Sequence, residues 1–225
     1  MFQKDPFAPL PEGLDFQVNP YAKSLVDAEH NETPAFFGPQ LQAHRGRWKE
    51  VLGCEKLILE VGVHKGVTLI QLAKHDASLG CLGMDITFKR VMTTAKRLLE
   101  QGLHRRCASI FADARFLAEI FEPGELDGVL MFFPDPWIHK KGMTHKRLFQ
   151  QSFCDSIKKT LHPNGFFWFK SDSWDYSKQV QEILKNSGFV QGSGCTPLAV
   201  DFSSSFEKRF HDQGLDTDSH WWKIP

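Results

Sequence analysis

The chain has 225 residues, 41% of them hydrophobic, with 20 Phe, which is enough for one domain with a sizeable core. Lys+Arg and Asp+Glu number 27 each, so any polyanion has to be held by a local basic patch, not by the overall field. The five cysteines (Cys54, Cys81, Cys107, Cys154, Cys195) form no C-x-x-C pair, and no apolar run approaches membrane-spanning length. These features predict reduced thiols in a soluble, cytoplasmic protein.

Residues 1–40 carry six prolines and no sustained periodicity, and are expected to form an irregular arm. Residues 41–225 are expected to form a single domain. A short basic helix is predicted over 41–52, weakened by Gly46. Lys56–Gly62 reads as a short buried strand. Gly66 follows four residues later, and VTLIQLAKH then has helical spacing. Strand, glycine turn and helix open a dinucleotide-type α/β fold. The spacing is G-x-x-x-G with His64 between, which departs from the G-x-G-x-x-G fingerprint. Glu60 lies inside the apolar strand, where a carboxylate is costly to bury without a partner.

A second strand over 80–86 contains Asp85 at its tip, 19 residues past Gly66, the usual place for a ribose-binding acid. An amphipathic helix follows over 88–101. The third strand, 107–112, is followed by Asp113 and Ala114. The fourth, 126–133, ends in FFPDPW, because Pro134 and Pro136 lack the N–H a strand needs. Asp135 stands at its end, with Trp137 and the basic residues His139, Lys140, Lys141, His145, Lys146 and Arg147 behind it. A helix over 147–161, a turn at Pro163–Gly165, a fifth strand over 165–171 tipped by Asp172, and a helix over 174–187 complete the alternation. The tail, 189–225, is strand-like and loopy.

This order predicts a doubly wound, mostly parallel sheet with helices on both faces. Glu60, Asp85, Asp113, Asp135 and Asp172 then fall at the carboxyl ends of five successive strands, where such sheets bind ligands. An acid-lined cleft disfavours a nucleoside triphosphate or the pyrophosphate of NAD. S-adenosylmethionine suits it better, since it carries a sulfonium, an ammonium and a ribose diol and no phosphate. A metal is the other acid-rich possibility, but no His or Cys cluster supports one.

FFPDPW with its basic loop, LEVGxxxG, the strand-tip acids, KSDxxxY (170–176) and SSFE (204–207) together resemble the bacterial tRNA (guanine-N7-)-methyltransferases. The resemblance spans about residues 19–210. It implies a Rossmann-like class I methyltransferase fold, S-adenosylmethionine as cofactor, and tRNA as substrate, methylated at N7 of a variable-loop guanosine. It implies no metal, no membrane and no obligate protein partner, leaving a monomer or homodimer. Carried over residue by residue, it puts Glu60, Gly62, Gly66, Asp85, Asp113 and Ala114 at the cofactor. Asp135 stands between cofactor and guanine as the catalytic acid. Lys140, Asp172, Ser204, Phe206 and Glu207 are placed at the substrate, and Lys141, Lys146 and Arg147 on the RNA. The chain departs from the pattern at His64, where glycine is usual, and at Asp85, where Glu is common. The remaining alternatives are a small-molecule methyltransferase of the same fold, which has no use for the basic loop, and an RNA-binding module with a degraded cofactor site.

Overall fold

The computed structural model describes residues 5–9, 34–137, 143–198, 202 and 204–225. Its centre is an eight-stranded sheet: β1 (Ala35–Phe37), β2 (Lys56–Val61), β3 (Leu79–Asp85), β4 (Cys107–Phe111), β5 (Leu126–Phe132), β6 (Leu161–Ser171), β7 (Val190–Gln191) and β8 (Asp218–Lys223), in the spatial order β1-β4-β3-β2-β5-β6-β8-β7. The pairs from β1 to β6 are parallel; β8 runs antiparallel to both β6 and β7. The chain starts its core at β2, winds out through β3 to β4, then returns to the other side of β2 with β5. The crevice between β2 and β5 is therefore the point where strand order reverses.

The central strands are buried on both faces, as parallel strands covered by helices must be. Their alternate residues feed two separate cores. Leu57, Leu59, Val61, Val129, Met131, Phe167 and Phe169 face one, and Ile58, Leu130, Cys81, Cys107 and Trp168 the other. Helices supply the covering layers. α1 (Pro39–His44) and α2 (Trp48–Val51) precede β2, and α3 (Val67–His75) and α4 (Phe88–Glu100) follow β2 and β3. α5 (Leu117–Ile120) follows β4, and α6 (Gln151–Thr160), α7 (Trp174–Asn186) and α8 (Ser205–Asp212) complete the set. α4 shows how the pattern works. Val91, Met92, Ala95 and Leu98 are buried along one stripe, while Lys89, Arg90 and Lys96 lie outside.

Five details differ from the sequence expectation, the first being α8, a helix within the tail expected to be strand-like and loopy. Ala35–Phe37 lies inside the span expected to be irregular, yet it pairs with β4; three residues are too few for a periodic signal. The helix expected over 41–52 is two helices, because Gly46 turns the chain at φ +76° between them. The turn expected at Pro163–Gly165 is instead a bulge within β6. Leu126 pairs with Leu161 and Gly128 with Phe166, so the residues between are looped out of the ladder. The helix expected from 147 starts only at Gln151, since Arg147 is drawn into the network described below. All five cysteines are free thiols. Among the described residues no helix is long and apolar enough to cross a membrane.

β8 carries a buried polar chain. The indole N–H of Trp222 donates to His220 Nδ1 at 2.6 Å, leaving Nε2 of the neutral ring to face Ser177 Oγ at 3.0 Å, and Ser177 in turn bonds Asp218. Protonating Nδ1 breaks the Trp222 bond, and burial pushes the His220 pKa down to about 4. Between that value and about 6.5 the unfolded chain binds a proton that the native state refuses, so stability falls as pH drops through this window. The His220 contribution to the unfolding free energy, native minus His220→Gln, should decline from pH 6.5 to pH 4 by up to roughly 3 kcal/mol. His220→Gln should flatten this acid limb; an unchanged slope would remove His220 as its source.

Candidate active site

A cavity of about 810 Å³ opens at the carboxyl ends of β2, β3, β4 and β5. It brings together Glu60, Gly62, Asp85, Asp113, Ala114, Asp135, Lys146, Arg147, Ser204 and Phe206 of the sequence-predicted set. Gly66, Asp172 and Glu207 are not in its wall. Lys140 and Lys141 lie outside the described residues, as does His139.

The floor is the turn from β2 into α3. Gly62 and Gly66 take φ +80° and +67°. A side chain at Gly66 would also press to 2.8 Å from Thr94 of α4, so this glycine serves helix packing and not the cavity lining. Glu60 is buried beneath the turn. The first turn of α3 lies over its carboxyl, and among the described residues its buried Oε2 has no hydrogen-bond partner. Burial pushes its pKa up to about 8.

Asp85, the last residue of β3, accepts the His64 N–H at 3.2 Å and the Thr87 N–H at 2.8 Å, and Arg90 lies 3.6 Å away. It thus ties the glycine turn to the start of α4. Asp113 caps the short turn at Ala114 through Arg115 N–H (3.0 Å) and is gripped by the Arg115 guanidinium. The tips are acidic as expected, but the cavity is not uniformly so, because Arg90, Arg115 and Lys65 stand among the acids.

β5 ends at Phe132, and Phe133 swings into the left-handed region at φ +52°, its N–H held by Lys170 O at 2.8 Å. Asp135 follows, exposed at the rim. Its Oδ1 accepts the Trp137 N–H at 3.0 Å, and Oδ2 is unengaged among the described residues. Lys146 Nζ lies 5.3 Å over the Trp137 ring, so Trp137 packs under a cation and is not a free face.

Two expected RNA or substrate contacts have other tasks here. Arg147 is buried. It donates to Pro136 O (2.9 Å), Gln179 Oε1 (2.5 Å) and Asp175 Oδ2 (2.8 Å), and stacks 4.7 Å over Tyr176. Its guanidinium locks the PDPW loop onto α7 instead of facing solvent. Glu207 is buried too. It closes a capping box with Ser204 and accepts two bonds from Lys170 Nζ, at 3.0 and 3.1 Å. Asp172 stands exposed at the tip of β6, beside the Asp135 loop, since Phe132 pairs with Lys170 two residues earlier.

Sequence reasoning missed Lys170 and Trp174. A lysine within GFFWFKS carries the same warning as Glu60 within KLILEVG, and that was the available signal. Trp174 is 55% exposed on the first turn of α7, next to Asp175 and so to the Arg147 anchor.

The strand order β4-β3-β2-β5-β6-β8-β7 with a reversed β8, over a cavity at the β2/β5 crevice, defines a class I methyltransferase. Solved structures share this fold at low identity. They include a SAM dependent methyltransferase from Aquifex aeolicus (TM-score 0.54, 14% identity, 80% of this chain and 90% of that one) and the 16S rRNA methyltransferase KamB (TM-score 0.57, 15% identity, 82% and 91%). The family model Methyltransf_4, described as "Putative methyltransferase", matches residues 54–217. A tRNA (guanine-N(7)-)-methyltransferase of Nitrosococcus oceani is 33% identical over 159 residues, covering 70% of this chain and 66%, just under two thirds, of that protein. One from Geobacillus sp. (strain WCH70) is 28% identical over 206 residues, covering 87% and 89%. The chain belongs to this methyltransferase family, as its FPDPW stretch implied.

Glu60 gives the site a pH signature. Between about 4.5 and 8 the native state keeps a proton that the unfolded chain has lost, so stability of the free protein falls as pH rises through that window. The Glu60 contribution to the unfolding free energy, native minus Glu60→Gln, should therefore decline on the order of a few kcal/mol from pH 5 to pH 8. In Glu60→Gln this alkaline decline should vanish. If it persists, Glu60 is not the titrating group.

Proposed function

We propose that this protein is a cytoplasmic enzyme that transfers the methyl group of S-adenosylmethionine to N7 of a guanosine in the variable loop of tRNA. The observation that carries the reading is Asp135. It stands at the rim of the crevice in the FFPDPW loop, one oxygen spent on its own backbone turn and the other unengaged among the described residues. The curated relatives, 27–33% identical, carry that activity in their names.

The cavity fits the cofactor. The buried Glu60 oxygen without a partner is an acceptor waiting for a donor or cation, and Asp85 and Asp113 line the wall toward β3 and β4. Glu60, Gly62, Asp85, Asp113 and Ala114 would hold it there, with Gly66 shaping the turn. When bound, S-adenosylmethionine supplies a methyl group activated by a sulfonium. Guanine N7 has a free lone pair and no proton to lose, so the chain needs no general base and its task is positioning and electrostatics.

Asp135 is placed to face the cation that forms on the purine and to accept from the guanine edge. Asp172, at the tip of the neighbouring strand, offers a second acceptor. Acceptors left unpaired are costly, so a base lacking the matching donors is rejected. Glu207 contributes indirectly, by fixing Ser204 and Phe206 at the cavity. Lys140, Lys141 and Lys146 belong to the basic loop that would meet tRNA phosphates. Arg147 keeps that loop in register with the site. A guanosine presented to the crevice leaves its stack. The exposed Trp174 ring beside the Asp135 loop offers a surface for a neighbouring base.

Methyl transfer from labelled S-adenosylmethionine to unmodified tRNA, followed by nucleoside analysis, should yield 7-methylguanosine. Asp135→Asn should lose about 10²–10³-fold in turnover, the scale of one removed electrostatic stabiliser. No 7-methylguanosine from the native chain would overturn the function; undiminished turnover in the variant would overturn the residue's role.

Trp174→Ala should weaken tRNA binding by about 1–3 kcal/mol, the value of one base–aromatic stack, with S-adenosylmethionine affinity unchanged. Unaltered tRNA affinity in a filter-binding titration would leave Trp174 as plain surface.

A further inference from the structure

His64 has no place in the roles above, yet its geometry is the most constrained in the cofactor turn. It takes φ +51° in a turn whose other left-handed positions, Gly62 and Gly66, are glycines. A side chain there is strained, although His tolerates the region better than most residues. Its N–H is fastened to Asp85 Oδ2 at 3.2 Å. Its ring is partly buried and meets Phe206 edge to face, with centroids 5.1 Å apart and planes at 61°. Burial, with Arg90 and Lys65 adding their charges against Asp85, holds its imidazole below the usual histidine range.

Phe206 sits in the first turn of α8 and lines the cavity. It also lies 6.4 Å from Phe133, the residue that turns β5 into the PDPW loop, and Phe133 lies 5.5 Å from Phe210. One run of rings therefore joins three pieces: the cofactor turn, the helix carrying Ser204 and Phe206, and the loop carrying Asp135. At its other side α8 is fixed to β6 through Lys170 and Glu207.

Resting on the proposed tRNA methylation, we propose that His64 is a positioning residue: its ring holds Phe206, and so the start of α8, in place over the cavity where the guanosine is received. A glycine at 64 would relax the backbone but leave Phe206 without a partner on the cofactor side. Strain of this kind persists where the surroundings enforce it and the site uses it. The turn at His64 is then adapted, not degraded.

The test uses the full chain and three variants. His64→Asn keeps a residue that tolerates left-handed φ but removes the ring; His64→Phe keeps a ring; Phe206→Ala removes the partner. Expected for His64→Asn is a rise of about two- to tenfold in KM for tRNA, the worth of one aromatic pair, with Kd for S-adenosylmethionine within about threefold of native. Phe206→Ala should show the same defect, and the double variant no further one. His64→Phe should restore the KM. Independently of tRNA, amide hydrogen exchange over residues 205–212, measured with S-adenosylmethionine bound, should be faster in His64→Asn and native-like in His64→Phe. Native exchange in His64→Asn, or a defect confined to S-adenosylmethionine affinity, would overturn the proposal. If the native chain leaves tRNA unmethylated while the exchange pattern holds, the substrate reading falls and the positioning role stands.

Discussion

Parallel pairing from β2 to β6 is the constraint on which the site depends. It sends every one of those strands to the same edge, so whatever follows each strand converges there. Glu60, Asp85, Asp113, Asp135 and Asp172 are scattered over more than a hundred residues and become neighbours only through this arrangement. Convergence of like charges has a cost. The chain meets it with backbone N–H donors and arginines at Asp85 and Asp113 and with exposure at Asp135 and Asp172. Among the described residues Glu60 has no ion partner and it is shut from solvent, so it responds as a buried carboxyl must, by holding its proton. It is the acid whose ionisation a bound cation would change most.

Two buried cations then fix the substrate side. Lys170, fully buried at the end of β6, pairs with Glu207 and also donates to Phe202 O, so α8 is docked on the sheet by charge as well as by rings. Removing one partner of such a pair leaves an uncompensated buried charge, at about 3–5 kcal/mol, whereas replacing both can be nearly neutral. Its contribution is orientation of α8, not net stability. Arg147 does the same for the PDPW loop, with a carbonyl, an amide, a carboxylate and the Tyr176 face all satisfied at once. Tyr176 OH in turn accepts the Phe149 N–H, so the anchor reaches α6.

What was legible in the sequence was local. Apolar strands ending in an acid, glycines bracketing a turn, and two prolines stopping a strand all carry their meaning within a few residues, and the fold and the strand-tip acids followed from them. What was not legible depends on distant partners. Arg147 reads as one more basic residue of a solvated loop; its burial is decided by Asp175 and Gln179, some thirty residues on. Glu207 reads as a substrate acceptor until Lys170 is seen to occupy it. β1 exists only because β4 offers it an edge, and β8 finds its antiparallel place between β6 and β7 after the chain has passed that region once. The arginines that temper the cavity's charge are local, Arg90 five residues after Asp85 and Arg115 two after Asp113, but only the fold shows that they turn back onto those acids.

Backbone strain follows the site with unusual fidelity. Among the described residues, three non-glycine positions have positive φ: His64, Phe133 and Trp137. All three line the cavity. Each such residue costs on the order of 1–2 kcal/mol in isolation. Each is held by its own N–H: His64 on Asp85, Phe133 on the carbonyl of Lys170, Trp137 on Asp135. Two of those three acceptors are carboxylates that the site also needs. Asp85 spends both oxygens on backbone, which makes it a frame for the turn around the cofactor pocket. Among the described residues, Asp135 spends only one. The strained turn at Trp137 thus fixes the Asp135 carboxylate in direction while leaving its second oxygen to the crevice, the arrangement that its proposed role, facing a developing charge without reorganising, calls for.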